Sequence, residues 1–151
     1  MKLEVVISWL EQEFGDDSAV TVEIIPAKAD AATGERVPRP IRDVSVDDSD
    51  KEVHLLVNAS PWDEAEPVKP PMTLSTLLNR LREVDDRESY SVVSGDWQVI
   101  DEDYAFRIDW PLEGIATNDD ESVVAFVERV MGNDGGEQAL ESASTHYGLL
   151  S

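Results

Sequence analysis

Thr73-Leu74-Ser75-Thr76-Leu77-Leu78-Asn79-Arg80-Leu81 is the stretch from which the rest of the chain is read. Its leucines at 74, 77, 78 and 81 recur at the i, i+3, i+4, i+7 spacing that lines one side of an α-helix, and the stripe runs on to Val84. Thr73 suits the N-cap, because its hydroxyl can accept from a backbone N–H of the first turn. Toward the C-terminus, Tyr90–Val93, Trp97–Ile100 and Tyr104–Trp110 read as two or three strands, with Asp101-Glu102-Asp103 as a hairpin loop. In the last of these, Tyr104, Phe106, Ile108 and Trp110 alternate with Ala105, Arg107 and Asp109, which predicts one buried face. Asn118 to Glu121 then look like an acidic helix start, and Val123, Phe126, Val127 and Val130 have helical spacing up to Met131, although the β-branched content also suits a strand. Residues 132–151 are Gly-rich and polar and read as a flexible tail.

Toward the N-terminus, residues 58–71 hold four prolines and read as a crossover. Before it, Val53–Val57 is an apolar run expected to be a central strand, and Ile41–Val46 a strand joined to it by the acidic turn 47–50. Residues 26–40 have no periodicity and read as a long exposed loop. Val20–Ile24 alternates as a strand, and Leu3, Val6, Ile7, Leu10 and Phe14 form a helical stripe that Gly15 stops. The expected order is α-β-β-β-α-β-β-α: one α+β domain over residues 1–131, with a mainly antiparallel sheet and flanking helices. No internal repeat and no low-complexity segment stands out.

The chain has 151 residues, 33 acidic and 12 basic, for a net charge of −21. The excess is −7 over residues 1–60 and −14 over 61–151, with no basic stripe hidden in either part. Such a field repels phosphate, which argues against direct nucleic-acid binding and against anionic membrane surfaces. It attracts basic proteins, and it also serves plain solubility or adaptation to high salt. The chain contains no Cys, which removes disulfides, thiolate metal sites and cysteine nucleophiles. No run of about 18 apolar residues is present and the start lacks a signal-peptide pattern, so the cytoplasm is the expected location.

No catalytic or metal motif emerges, and no cofactor is expected. Acids cluster at Asp47-Asp48-Asp50, Asp101-Glu102-Asp103 and Asp119-Asp120-Glu121, all of them turn or helix-start positions where carboxylates are ordinary. A calcium-loop register from Asp43 fails, with Asp48 where glycine is needed and His54 where glutamate is needed. His54 and His146 lie far apart, and neither belongs to a metal-binding or nucleophile-activating pattern. The four tryptophans are the better candidates for contact. Trp9 borders the stripe of the first helix, Trp97 and Trp110 lie on adjacent strands where core packing accounts for them, and Trp62 sits among prolines and acids, where burial is hard.

The segment 72–131 resembles the type III secretion chaperone-like fold, shared by class I secretion chaperones and YbjN-like bacterial proteins. The likeness rests on the helix Leu74–Leu81 leading into a hairpin that ends in Ile108-Asp109-Trp110-Pro111-Leu112-Glu113-Gly114-Ile115. Trp110 and Glu113 stand where the family's strand end has Leu and Asp. The resemblance implies a homodimer that holds a segment of a client protein or a regulatory partner, without catalysis. The acidity supports a different role, that of an immunity protein or DNA mimic blocking a basic nucleic-acid enzyme. A small enzyme or ligand-binding domain is the third expectation, one that an apolar pocket lined by Trp97 and Trp110 would favour.

Overall fold

The computed structural model describes residues 1–15, 19–29, 32–58, 70–129 and 148–149. Two helices, α1 (Leu3–Phe14) and α2 (Leu74–Arg82), pack on one face of a curled mixed sheet. Its strands are β1 (Thr21–Ile25), β2 (Arg39–Pro40), β3 (Asp43–Asp47), β4 (Glu52–Leu56), β5 (Ser91–Asp101), β6 (Tyr104–Thr117) and β7 (Val123–Glu128), and the pair Gly148–Leu149 forms a short β8 beside β6. The spatial order is β2-β1-β7-β6-β5-β4-β3. The pairs β1·β7 and β4·β5 are parallel and the rest antiparallel, so the sheet is mixed, where a mainly antiparallel one was expected.

Both helices form where their stripes predict. Leu3, Val6, Ile7 and Leu10 of α1 and Leu74, Leu77, Leu78 and Leu81 of α2 are buried, and Gly15 ends α1 at φ 60°. Thr73 caps α2 by accepting from the Thr76 amide at 3.4 Å. The helices bury these residues against Val22, Val53, Leu55, Val92, Val124 and Phe126, which alternate along β1, β4, β5 and β7. Burying each large aliphatic side chain contributes about 1.5–3 kcal/mol.

Three local readings are corrected. Residues 123–128 are strand, not the start of a third helix. The run Val123-Val124-Ala125-Phe126-Val127 lies in the sheet with both faces covered, so almost every position is apolar and the helical spacing within it is incidental. Asn118 to Ser122 therefore make a β-turn: the Asn118 side-chain oxygen accepts from the Ser122 and Val123 amides at 2.9 and 3.0 Å. Next, of the two or three strands expected between α2 and residue 110 there are two, longer than expected, because β5 runs unbroken through Ser94-Gly95 and β6 through Pro111. A bulge between Leu112 and Gly114, just after Pro111, lets β6 leave β5 and continue beside β7. Finally, β4 is next to the edge strand β3 and not central. The Asp101-Glu102-Asp103 hairpin turn is as expected, with the Asp101 carboxylate accepting from the Asp103 amide at 2.9 Å.

The expectation of no repeat is also corrected. Residues 1–57 and 72–128 fold as two like units, each a helix followed by strands that meander in the same sense. Pairing along the sheet runs antiparallel, parallel, antiparallel from either end toward β6, so the two halves are related by an approximate two-fold axis. Pro40 opposes Glu23 as Pro111 opposes Val93, and the split strand β2–β3 occupies the place of the continuous β6. The helix starts are exchanged between units. The Leu3 amide donates to Tyr90 O at 3.0 Å and the Leu74 amide to Val20 O at 2.7 Å; likewise Val92 donates to Met1 O and Val22 to Met72 O. Each helix thus begins by pairing antiparallel with the first strand of the other unit, and the two halves interlock. In sequence the repeat survives only as Met1-Lys2-Leu3 against Met72-Thr73-Leu74 and Pro40-Ile41 against Pro111-Leu112, plus matching apolar positions.

Candidate functional site

The helices cover only part of the sheet's inner face. Beyond them the same face opens into a cleft of about 540 Å³ between residues 26–29 and 35–39 on one side and the β5–β6 hairpin on the other, within the range of small-ligand sites. The cleft lies on the internal two-fold axis, and its walls are equivalent positions of the two units that differ in chemistry. Trp110, opposite Ser94 on β5, faces Arg39, opposite Ile24 on β1. Lys28 and Gln98 follow β1 and lie within β5 at matching places, and Glu128 at the end of β7 stands where the first unit has Val57.

Glu128 is the chemically unusual member. It ends the inward row Val124, Phe126, Glu128 and is 6% exposed, although it is a carboxylate. Its Oε2 accepts from the Ala27 amide at 2.8 Å and its Oε1 from the Ser94 hydroxyl. No cation stands within ion-pair distance of it among the described residues. Asp96, also on the wall, is by contrast well supplied: Arg39 and Gln98 donate to one oxygen at 3.1 and 2.7 Å, and Asn58 to the other at 2.9 Å. Asn58 exchanges two further bonds with the Trp97 backbone, which fixes the chain at the start of the 58–71 segment. Lys28 Nζ lies 5.7 Å from the centre of the Trp110 ring, so this indole face already carries a cation.

Burial pushes the Glu128 carboxyl above its ordinary value, and the nearby Asp96 charge adds to this; the Ser94 and Ala27 hydrogen bonds and Arg39 act in the opposite direction. An acid whose folded value is raised binds its proton more tightly in the folded state. Its ionisation therefore burdens the fold only as pH climbs above the ordinary value of about 4.5, and the burden is complete above the raised value. Glu128→Gln keeps the shape and one acceptor. The stability of wild type relative to this variant is expected to fall between acid and neutral pH, as read by chemical denaturation at a series of pH values; a constant difference would show that Glu128 does not titrate in that window.

The opposite face of the sheet holds a second polar group. His54 on β4 is buried, with Nδ1 3.3 Å from Asp109 Oδ1 but off the line of a hydrogen bond, and Nε2 3.5 Å from the Arg107 guanidinium. Arg107 Nε donates to Asp109 at 2.8 Å, and its guanidinium lies 5.8 Å from the centre of the Trp97 ring. Gly95 makes this possible, since a Cβ there would stand 2.7 Å from Leu56 Cδ2, 3.2 Å from Arg107 Cδ and 3.3 Å from Asp109 Oδ1. The group is a charge cluster in which Asp109 takes the Arg107 guanidinium while the buried His54 Nδ1 has no hydrogen-bond partner among the described residues.

The candidate tryptophans separate accordingly. Trp97 and Trp110 are on adjacent strands but on opposite faces, because Trp97 opposes Arg107 and Trp110 opposes Ser94. A pocket shared by the two is therefore not formed; of the pair, Trp110 lines the cleft. Trp9 is partly buried against the helical core. Trp62 lies outside the described residues. The stripe Tyr104, Phe106, Ile108 and Trp110 keeps its alternation but not its burial: Tyr104 is 61% and Phe106 41% exposed, and the stripe descends from the hairpin tip into the cleft through Ile108 and Trp110. Glu128 was missed in the sequence; its signal was a carboxylate closing a fully apolar strand.

Among the described residues no three His, Asp or Glu side chains are placed to hold a metal ion, and no helix is long and apolar enough to cross a membrane. No protein-family model, curated protein or solved structure matches the chain.

Proposed function

We propose that this chain is a non-enzymatic protein-binding module that holds an extended segment of a partner protein, the role implied by its resemblance to secretion chaperones and YbjN-like proteins. The observation that carries the reading is the exposed stripe Tyr104-Phe106 leading into the cleft at Ile108 and Trp110. Aromatic side chains aligned on a strand offer large contact area at small entropic cost, and an apolar stripe on an otherwise acidic surface suits a protein partner. Action in the cytoplasm and as a homodimer belongs to the same proposal.

The test is capture of partners from host lysate by wild type and by the double variant Tyr104→Ser/Phe106→Ser, washed at low and at high salt. The expected result is a partner that survives high salt on wild type and is reduced at least tenfold on the variant, with the fold intact by circular dichroism. The charge of −21 favours a second reading, an acidic inhibitor of a basic nucleic-acid enzyme. That reading requires a partner that salt elutes and that ignores the aromatic changes, since screening weakens surface charge and leaves apolar contact.

A further inference from the structure

We propose that the cleft on the internal two-fold axis receives an arginine side chain of the bound segment, its guanidinium stacked on Trp110 and paired with Glu128. The inference rests on the segment-holding reading for its partner and on the cleft itself for its chemistry. Three observations converge. Glu128 is a buried carboxylate that opens on the cleft with one hydrogen bond to each oxygen and, among the described residues, no cation within ion-pair distance. An ionised carboxylate in such surroundings gains from a paired cation, and each of its oxygens can accept a further bond. Trp110, on the same wall, presents a ring that already draws the Lys28 ammonium to 5.7 Å. Arginine serves both surfaces, since its planar guanidinium stacks on an indole and donates in a fork to a carboxylate. In this arrangement Lys28 is the place-holder that the incoming guanidinium displaces. The net charge of −21 draws a basic segment to the surface before it docks.

The way in follows from the stripe. A segment lying on Tyr104 and Phe106 is led by Ile108 to Trp110, so an arginine further along it meets the cleft. The asymmetry between units makes the site single. With Val57 at the matching position, the first unit offers no second carboxylate there to pair with a guanidinium.

The test is a titration of the full chain, followed by amide and indole nuclear magnetic resonance, with a capped pentapeptide alternating valine and arginine and with its citrulline twin. Citrulline keeps the shape and removes the charge. The expected result is a shift of the Trp110 indole N–H, affinity at least tenfold lower for the citrulline peptide, and a similar loss in Glu128→Gln and in Trp110→Leu. Glu4→Gln removes the same charge from the exposed side of α1 and is expected to change affinity less than twofold. If both peptides bind alike and Glu128→Gln is neutral, the arginine pocket is overturned while segment holding stands. If capped arginine alone shifts the cleft but no peptide touches Tyr104 or Phe106, the pocket stands and segment holding falls. If neither probe moves the Trp110 signal, the pocket is overturned.

Discussion

Phe126→Ala is expected to destabilise the fold by about 3–5 kcal/mol, the range for truncating a fully buried phenylalanine. Phe126 is among the largest side chains in the core that are wholly inaccessible. It sits on β7, which β1 and β6 flank and whose inner row packs beneath the helices. With β-strands fixed on both sides of β7, the surroundings have little freedom to collapse into the space left behind, so the upper part of the range applies. Since domains of this size are stable by about 5–15 kcal/mol in all, the loss should appear as a large drop in denaturation midpoint by circular dichroism. A cost under about 1 kcal/mol would mean that β7 does not form the centre of the core.

The second large effect tests the duplicated architecture. Ile7 and Leu78 occupy equivalent positions of α1 and α2, both buried, on helices that pack against each other. Ile7→Ala and Leu78→Ala are each expected to cost about 2–5 kcal/mol. If the two units carry the core equally, the costs should agree within a factor of about two, the usual spread between sites of like chemistry. The start of each helix also pairs with the other unit's first strand, so neither half can loosen alone. The double variant should therefore lose its structure in one transition whose midpoint lies below that of both single variants. Two separate transitions would show that the units fold independently, against the interlock.

The parts of the fold that were legible in the sequence are those decided within a few residues of themselves. The stripes of α1 and α2, the stop at Gly15, the Thr73 cap and the Asp101-Glu102-Asp103 turn depend on local spacing and on side chains bonding to nearby backbone. The third helix was misread because Val123 to Val127 is apolar at nearly every position, and such a run fits either period until its neighbours are known. The exposed aromatic stripe was misread for the complementary reason. Alternation on β6 shows that Tyr104 and Phe106 share a face with Ile108 and Trp110, but not whether another layer covers that face.

The site was the least legible part. Trp110 drew attention by its type, whereas its partners Glu128, Lys28 and Arg39 are ordinary charged residues in an acidic chain. Glu128 meets Ala27 and Ser94 only because β7 lies beside β1 and across the sheet from the inner face of β5. Parallel pairing joins residues about a hundred positions apart in β1 and β7, and no local pattern encodes such a partner. The duplication was hidden in the same way, since what the two units share is a set of buried positions rather than identities.

By itself, the sequence determined the two amphipathic helices, the strongly acidic net charge and the absence of thiol chemistry, because each follows from composition or from a period of a few residues. Only the tertiary structure decided that 123–128 is a strand, that two interlocked units share one sheet, and that a buried carboxylate and an indole line one cleft. Those outcomes depend on which distant strands pair and which faces the helices leave uncovered, and the free energy that selects them comes from burial across the whole domain.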